Sequence, residues 1–411
     1  MRRLAVGILA ALAVAAPAFA QEPAPAQAAP VQATAPAEAA FWTARSNGKV
    51  FDAVWYRVKR EYYDTTYHGL NWDEVGGRYR VRALAARDEA ELYGVINEML
   101  DLLDDAHAAA QSPSQARLEA TRDQARPMLG VMVARDNGKY ILQDVRIGSP
   151  AESAGLELGW EIRTLNGRPF FPGGALTAGQ PVTLEVVDDT GALRTVTVTP
   201  QVMAAPARRT ATWAAPNVLV LTFDGFDRGV TGWMDDQIDA APPGTRLILD
   251  VRANRGGLVM EAEGVLGCFL PNGRVWAKSS SRGKRHRDLK VGGSCSDFDG
   301  PVAVLVSGAS RSAAELVPGA LQESGRAIVV GRQTAGAVLI SVESRLPGGG
   351  RLNLSVQDVT LANGVRLEHR GVKPDVEALT TLADRRAGLD PALEAAVRAV
   401  TAAPAAAPAA N

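Results

Sequence analysis

The sequence predicts an α/β protein in three successive parts, because three kinds of hydrophobic pattern follow one another along the chain. Residues 41–125 carry apolar side chains at helical spacing, and residues 126–200 carry short β-rich runs separated by turns. From residue 201 onward, apolar runs typical of buried strands alternate with helix-like segments. We therefore predict a helical domain, an inserted β-rich domain and an α/β domain that ends near residue 400.

The composition is that of an ordinary globular protein and excludes several function classes. The chain has 411 residues, with 46% hydrophobic and 22% charged side chains, which is long enough for two or three domains with their own cores. The 44 basic and 45 acidic side chains give a net charge of -1, so nothing favours nucleic acid as a partner. Neither a metal-ligand cluster nor a phosphate-binding glycine loop is visible, so no metal and no cofactor is expected.

The first twenty residues are typical of a secretory signal peptide. Two arginines precede the apolar stretch Leu4–Ala16, and a small-residue cleavage site ends at Ala20. About 13 apolar residues are too few to span a bilayer. We expect export to the periplasm or the exterior, cleavage after Ala20, and no stable membrane span afterwards.

Two Ala/Pro-rich segments flank the predicted domains. Residues 21–40 are predicted to be a linker and residues 401–411 a disordered tail, because neither contains enough large apolar side chains to form a core.

The prediction of a helical part rests on two sets of apolar residues that recur with a 3.6-residue period, which is typical of the core-facing side of a helix. They consist of Phe51, Val54, Trp55, Val58 and Tyr62, and of Leu92, Val95, Met99 and Leu103.

The β-rich part contains the order of signals found in the second half of a PDZ domain. Residues 148–170, GSPAESAGLELGWEIRTLNGRPF, predict a turn, a short helix, a glycine stop and a strand that ends at an Asn-Gly turn. Leu129, Gly130 and Val131 would then form the loop whose amides bind a peptide carboxylate while the peptide adds as a strand. The alternative is a small β domain without a ligand.

Four apolar runs define the α/β part as a buried sheet: VLVLTF, RLILDV, VAVLVS and AIVVG. Helices are predicted to start near Thr231, Leu258 and Ser312.

Two turns in this part carry candidate chemistry. In LDVRANRGG, residues 249–257, the glycine pair Gly256 and Gly257 could point a backbone amide outward to form half of an oxyanion hole. Ser310 and Ser312 stand at the start of the helix after VAVLVS. Ser312 followed by Glu315 also matches a capping box, so the local pattern alone leaves open both the presence of a nucleophile and the choice between the serines.

The ordered set of motifs resembles the C-terminal processing (tail-specific) peptidases and their relatives around the tricorn core protease. It comprises the helical unit, the PDZ-like segment, LDVRANRGG, the serine segment with GRAIVVGRQTAG, and LEHRGVKPDV at residues 367–376. The resemblance implies a crotonase-like catalytic core over residues 201–400. It places the nucleophile at Ser312, and oxyanion amides at Ala313 and at Gly256 or Gly257.

The chain departs from the processing peptidases at the base. In that branch a lysine follows the serine by 25 residues, but this position is Ala337, and no lysine lies between Lys290 and Lys373. The tricorn-like branch uses a histidine instead, in a motif matched by LDDAH at residues 103–107. The resemblance therefore implies His107 as the base.

The tricorn-like branch also supplies a carboxylate, and LEHRGVKPD places it at Glu368. In the tricorn protease a second serine precedes the histidine and connects it to the carboxylate. Ala106 stands there in this chain, so the connection between Glu368 and His107 is open.

The other histidines offer weaker alternatives. His369 could form a Ser–Asp–His order with Ser312 and Asp358. His286 lies in a basic run predicted to be a solvated loop, and His68 lies in an apparent loop.

Cys268 and Cys295 are 27 residues apart and fit neither a CxxC motif nor a zinc site. In an exported protein they are expected to form a disulfide. The alternative is one buried and one exposed thiol.

These observations predict an exported serine endopeptidase that cleaves proteins or peptides through an acyl-enzyme. The PDZ-like segment would bind substrate C-termini or gate the site. Two alternatives stay open, namely an inactive PDZ-bearing scaffold and a small-ester or acyl hydrolase that uses the same serine. The oligomeric state is left open.

Overall fold

The computed structural model describes residues 42–136, 138–283 and 286–402. The predicted signal peptide and linker lie outside these residues, as does most of the predicted tail. Within the described ranges, no helix is both long enough and apolar enough to cross a membrane.

The described residues form ten α-helices and nineteen strands. The helices are α1 Ala44–Glu61, α2 Trp72–Ala85, α3 Glu89–Asp101, α4 Pro113–Ala120, α5 Pro150–Ser153, α6 Val230–Asp239, α7 Val259–Gly267, α8 Ala313–Glu323, α9 Leu382–Arg386 and α10 Pro391–Ala402. The strands up to residue 203 are β1 Ala109–Gln111, β2 Arg126–Met128, β3 Val131–Asp136, β4 Lys139–Val145, β5 Glu161–Leu165, β6 Arg168–Pro169, β7 Val182–Val187, β8 Leu193–Val198 and β9 Gln201–Met203. The later strands are β10 Arg209–Ala215, β11 Val218–Phe223, β12 Arg246–Asp250, β13 Val275–Ser281, β14 His286–Lys290, β15 Val302–Val306, β16 Ile328–Gly331, β17 Ile340–Arg345, β18 Arg351–Leu361 and β19 Val376–Glu377.

A six-stranded sheet in the order β10-β11-β12-β15-β16-β19 forms the centre of the α/β part. All neighbouring pairs are parallel except β10 with β11. Apolar clusters cover both faces, one with α6, α7 and α8 and the other with α10, which explains why the strands are apolar along their whole length. Since β12 and β15 are parallel neighbours, the two turns that follow them meet at the carboxyl edge of the sheet.

The prediction of a mixed α/β fold is confirmed, and the four apolar runs coincide with β11, β12, β15 and β16. The helices α6, α7 and α8 begin within one residue of the predicted starts. Two local predictions differ. The basic run around His286 pairs with β13 as the exposed strand β14, and α10 extends through Ala402 into the predicted tail.

The N-terminal helices share a core with a second, five-stranded sheet of β1, β13, β14, β17 and β18. Leu346, Leu352 and Leu354 from this sheet region are buried among the side chains of α1, α2 and α3. Strand β1 pairs with β18, with Ala109 opposite Asn353. The short loop that carries residues 104–108 is thereby fixed against the C-terminal half of the chain.

The β-rich part folds as a module with its own sheet, β3-β4-β5-β7-β8, and its own apolar core. Strands β2 and β9, which precede and follow this sheet in sequence, pair with each other as a separate two-stranded sheet. Strand β3 is an edge strand of the larger sheet. The C-terminal segment reaches this module as well. Leu382 is buried in the module core, and Arg385 binds Asp144 at 2.7 Å.

Cys268 and Cys295 form a disulfide in the structure. Cys268 is fully buried in the core cluster beneath α7 and α8, and Cys295 packs at the edge of that cluster.

Candidate active site

Ser312 occupies a constrained turn between β15 and α8. Its φ of 57° and ψ of -121° are unusual for a residue with a side chain, and such conformations concentrate at functional sites. The Ser312 amide donates to the Ala337 carbonyl at 2.7 Å, which holds the turn in place. The residue is half-buried, so a substrate can reach it.

Ser310, the alternative nucleophile, is fully buried and its hydroxyl is already engaged. Its Oγ donates to the Val251 carbonyl at 2.8 Å and accepts from the Ser307 amide at 3.0 Å. These bonds join the turn after β15 to the turn after β12. Ser310 therefore has a structural role.

The glycine pair of LDVRANRGG lies directly against the turn that carries Ser312. Gly256 has a φ of 89°, and a Cβ there would stand 2.6 Å from the Ser312 Cβ and 3.1 Å from the Ala313 nitrogen. Only a glycine permits this approach.

The two predicted glycine amides are not equivalent. The Gly256 amide donates to Asn254 Oδ1 at 2.8 Å, so it is unavailable to a substrate. Among the described residues, the amides of Gly257 and Ala313 have no hydrogen-bond acceptor. They are the amides of this turn that remain available to a ligand, whereas the Gly256 amide is already engaged.

Glu315 is more than a cap partner. It is 0% exposed and accepts four hydrogen bonds, from Thr334 Oγ1 at 2.5 Å, and from the amides of Gly336 at 2.6 Å, Ala337 at 2.9 Å and Ser312 at 3.1 Å. Burial raises the pKa of this carboxyl, while these donors act to lower it. The carboxylate thus fastens residues 334–336, which we call the TAG segment, to the turn that carries Ser312.

Glu368 lies beside the same TAG segment. It is 2% exposed, and its Oε2 accepts from the Val338 amide at 2.7 Å. Its Oε1 is buried without a partner among the described residues. Burial raises the pKa of Glu368 to about 7, and the nearby carboxylate of Asp105 acts in the same direction.

His107 is held by its backbone. Its amide donates to Asp105 Oδ1 at 2.8 Å, and its carbonyl accepts from Asn353 Nδ2 at 3.0 Å. Burial lowers the pKa of the imidazole, with Asp105 opposing the shift and the Arg311 guanidinium adding to it. A neutral imidazole is the form that accepts a proton.

Three buried polar atoms around this loop lack partners among the described residues. They are His107 Nδ1, Asp105 Oδ2 and Glu368 Oε1. Buried polar atoms of this kind normally share a hydrogen bond or an ordered water. Asp105 lies near enough to both His107 and Glu368 to affect the pKa of each.

The alternative site with His369 is not assembled. Asp358 is held by Arg366 at 3.0 Å, and His369 is exposed. No described contact joins the two residues. His68 lies beside Tyr63, with 3.3 Å between His68 Nε2 and the Tyr63 hydroxyl.

The predicted PDZ loop, Leu129 to Val131, leads into edge strand β3. Its carbonyls are bonded within the module, Leu129 to the Ala151 amide at 2.9 Å and Gly130 to the Arg146 amide at 2.8 Å. The amides of Leu129 and Gly130 have no acceptor among the described residues.

The features found here are a serine in a constrained turn at a helix N-terminus, two amides beside it that have no acceptor among the described residues, and a half-buried histidine whose pKa is lowered by burial. They are the parts of a serine hydrolase. In keeping with this class, residues 217–378 match the model of peptidase family S41, and residues 46–101 match the tricorn protease C1 domain.

Proteins that are similar to this chain over most of its length include C-terminal processing proteases. A carboxyl-terminal-processing protease of Picosynechococcus sp. is 28% identical over 338 residues, which is 78% of this chain and 81% of that protein. A chloroplastic C-terminal processing peptidase of Tetradesmus obliquus is 26% identical over 80% of this chain and 76% of its own length.

Solved structures show a similar fold. The photosystem II D1 C-terminal processing protease superposes with a TM-score of 0.62 at 24% identity, covering 81% of this chain and 93% of that one. The tricorn protease superposes with a TM-score of 0.51 at 16% identity, covering 87% of this chain and 36% of that one. The match over residues 217–378 identifies the C-terminal α/β part as a peptidase family S41 domain, and the chain is a serine peptidase similar to the carboxyl-terminal-processing proteases.

Proposed function

We propose that the chain is an exported serine endopeptidase with Ser312 as nucleophile, His107 as general base and Glu368 as orienting carboxylate. One observation carries this proposal. Gly256 lies against Ser312, and the neighbouring amides of Gly257 and Ala313 have no acceptor among the described residues.

With these roles, the proposed reaction has two stages. Ser312 Oγ attacks the peptide carbonyl carbon while His107 takes its proton, and the amides of Gly257 and Ala313 stabilise the oxyanion. When the C–N bond breaks, His107 gives the proton to the leaving amine and an acyl-enzyme remains. Water, deprotonated by His107, then attacks the ester and releases Ser312.

The position used by a lysine base in the processing peptidases supports a histidine base here. Ala337 is 2% exposed and its backbone binds both Ser312 and Glu315. A base must therefore come from another element. His107 is half-buried, and burial lowers the pKa of its imidazole, with Asp105 opposing this shift and the charge of Arg311 beside the serine adding to it.

The β-rich module supports the proposal of a PDZ domain set into a crotonase-like peptidase. The amides of Leu129 and Gly130 have no acceptor among the described residues, and strand β3 has a free edge. A peptide could add to β3 with its carboxylate at these amides. We infer that the module binds substrate C-termini or gates the site.

Export is supported by the signal-like N-terminus and by the bond between Cys268 and Cys295. Disulfides persist in oxidising compartments and are rare in the cytosol.

The purified chain is expected to cleave an unfolded protein such as reduced casein at internal bonds, because the site has an acylation machinery. The readout is mass spectrometry of the fragments, with nitrophenyl acetate as a parallel substrate. Turnover of the ester alone would favour the small-ester hydrolase. Turnover of neither would favour an inactive scaffold.

The proposed environment of Glu368 predicts an effect on stability. Its pKa of about 7 exceeds the ordinary value of 4.5, so between these pH values the folded chain binds more protons than the unfolded one. The free energy of unfolding should therefore fall as pH rises through this window, by about 1–3 kcal/mol at pH 8. The free energy of unfolding is measured in urea at pH 5 and at pH 8. Glu368→Gln should lose the decrease between these pH values that Glu368 causes, whereas Glu377→Gln, at an exposed position, should retain it. An unchanged pH dependence in Glu368→Gln would contradict the buried ionisation.

A further inference from the structure

Two arginines flank the nucleophile and play no part in the acylation steps above. Arg255 immediately precedes the glycine pair, and Arg311 immediately precedes Ser312. The two segments run side by side, because the Arg311 amide donates to the Asn254 carbonyl at 3.2 Å. A Cβ at Gly256 would also lie 2.8 Å from the Arg311 carbonyl oxygen.

Within the part of the chain that the structure describes, neither guanidinium has a carboxylate partner. Among the described residues, no Asp or Glu oxygen lies within 4.0 Å of Arg255 or Arg311. By contrast, Arg252 in the same turn is paired with Asp250 at 2.7 Å and with Asp390 at 2.9 Å.

The two charges influence one another and the site. Crowding by the surrounding protein, followed by the positive charge of Arg311, lowers the pKa of Arg255, with Glu119 opposing the shift. Arg311 also lowers the pKa of His107. Two guanidiniums carried by adjoining segments beside Ser312, neither with a carboxylate within 4.0 Å among the described residues, favour the binding of an anion there.

Arg255 also points toward the β-rich module. Its Nη2 is 3.4 Å from the Val133 carbonyl oxygen on β3, the edge strand to which a peptide would add. Arg255 is exposed and Arg311 half-buried, so a ligand can reach both. The pair therefore lies between the free edge of β3 and Ser312.

We propose that Arg255 and Arg311 together bind a carboxylate of the substrate close to the scissile bond. This inference rests on the proposed peptidase function and names its substrate class. The fork of a guanidinium matches a carboxylate in two parallel hydrogen bonds, and two such forks favour an acidic peptide over a neutral one. The carboxylate can come from a free C-terminus or from an Asp or Glu side chain.

The test compares three peptides of about ten residues that share one cleavable sequence. One has a free C-terminus, one has an amidated C-terminus with a single Glu near the scissile bond, and one is amidated and neutral. The enzymes are the wild type, Arg255→Gln, Arg311→Gln and the double variant. Arg398→Gln on α10 is the matched control, since its guanidinium is exposed and distant in sequence from the site.

The double variant should raise KM about 10- to 100-fold for at least one carboxylate peptide. It should change KM for the neutral peptide by less than about 3-fold, since any effect of Arg311 on His107 falls on kcat for all three peptides alike, and Arg398→Gln should change nothing. The peptide that responds identifies the source of the carboxylate. If the double variant raises KM equally for all three peptides, or raises it for none of them, the proposal is overturned.

Measuring peptide binding separates the test of the arginine pair from the test of the proposed peptidase function. Fluorescence anisotropy of labelled peptides measures Kd even when no cleavage occurs. If the wild type cleaves nothing, the peptidase proposal fails while the pair is still tested. A carboxylate preference in Kd that is absent in the double variant would support the pair, and equal Kd values for all peptides would refute it.

Discussion

Ser312→Ala is expected to abolish hydrolysis and labelling by a fluorophosphonate probe, because both require attack by the Ser312 hydroxyl. Removing the nucleophile of a serine hydrolase lowers kcat by about 10⁴- to 10⁶-fold. His107→Ala should cost a similar factor, since a serine hydroxyl without a base is a poor nucleophile. Peptide mass spectrometry of the labelled protein should find the probe on Ser312 alone.

Two neighbouring residues provide the controls. Ser310→Ala should still be labelled, although the loss of two buried hydrogen bonds lowers its stability by about 1–3 kcal/mol. His369→Ala should retain activity because His369 is exposed. Labelling on Ser310, or loss of labelling in His369→Ala with retention in His107→Ala, would contradict the assigned site.

Glu315→Gln is expected to damage both stability and activity. The buried carboxylate accepts four hydrogen bonds, and a glutamine replaces one acceptor oxygen by an amide that must face donors. Leaving such donors unpaired in the core costs about 3–5 kcal/mol. The Ser312 turn and the TAG segment would separate, so kcat should also fall by at least about 10-fold.

The matched control is Glu323→Gln on the same helix, where the side chain is exposed. Urea unfolding gives the stability, and the rate of fluorophosphonate labelling below the unfolding transition reports the geometry of the turn. If Glu315→Gln unfolds like Glu323→Gln and is labelled at the wild-type rate, the carboxylate is not the clamp that its hydrogen bonds indicate.

Local patterns predict the elements of the central sheet, because strands covered on both faces must be apolar throughout. The starts of α6, α7 and α8 follow from the same alternation. The shared core of α1–α3 with Leu346, Leu352 and Leu354 could not be predicted in this way, since it joins segments more than 240 residues apart in sequence. The insertion of Leu382 into the β-rich module is of the same kind.

At the site, sequence patterns indicate which residue types are present but not which atoms are free. The glycine pair marks a close approach of backbones, yet only the position of Asn254 Oδ1 decides that Gly257 rather than Gly256 keeps an open amide. The spacing of Ser312 and Glu315 suggests a helix cap, while the contacts with Thr334 and Gly336 depend on a loop twenty residues away. The one glycine of that segment, Gly336, was the available signal.

The C-terminal segment has a consequence for how the chain matures. Arg385 binds Asp144 across 241 positions of sequence, and Asp390 binds Arg252 across 138 positions. Such contacts close large loops and form late in folding. The turn that carries Gly257 therefore gains its contact with Asp390 only once the C-terminal segment has folded back onto the sheet. The support of the candidate site thus depends on a segment that lies more than a hundred residues further along the chain.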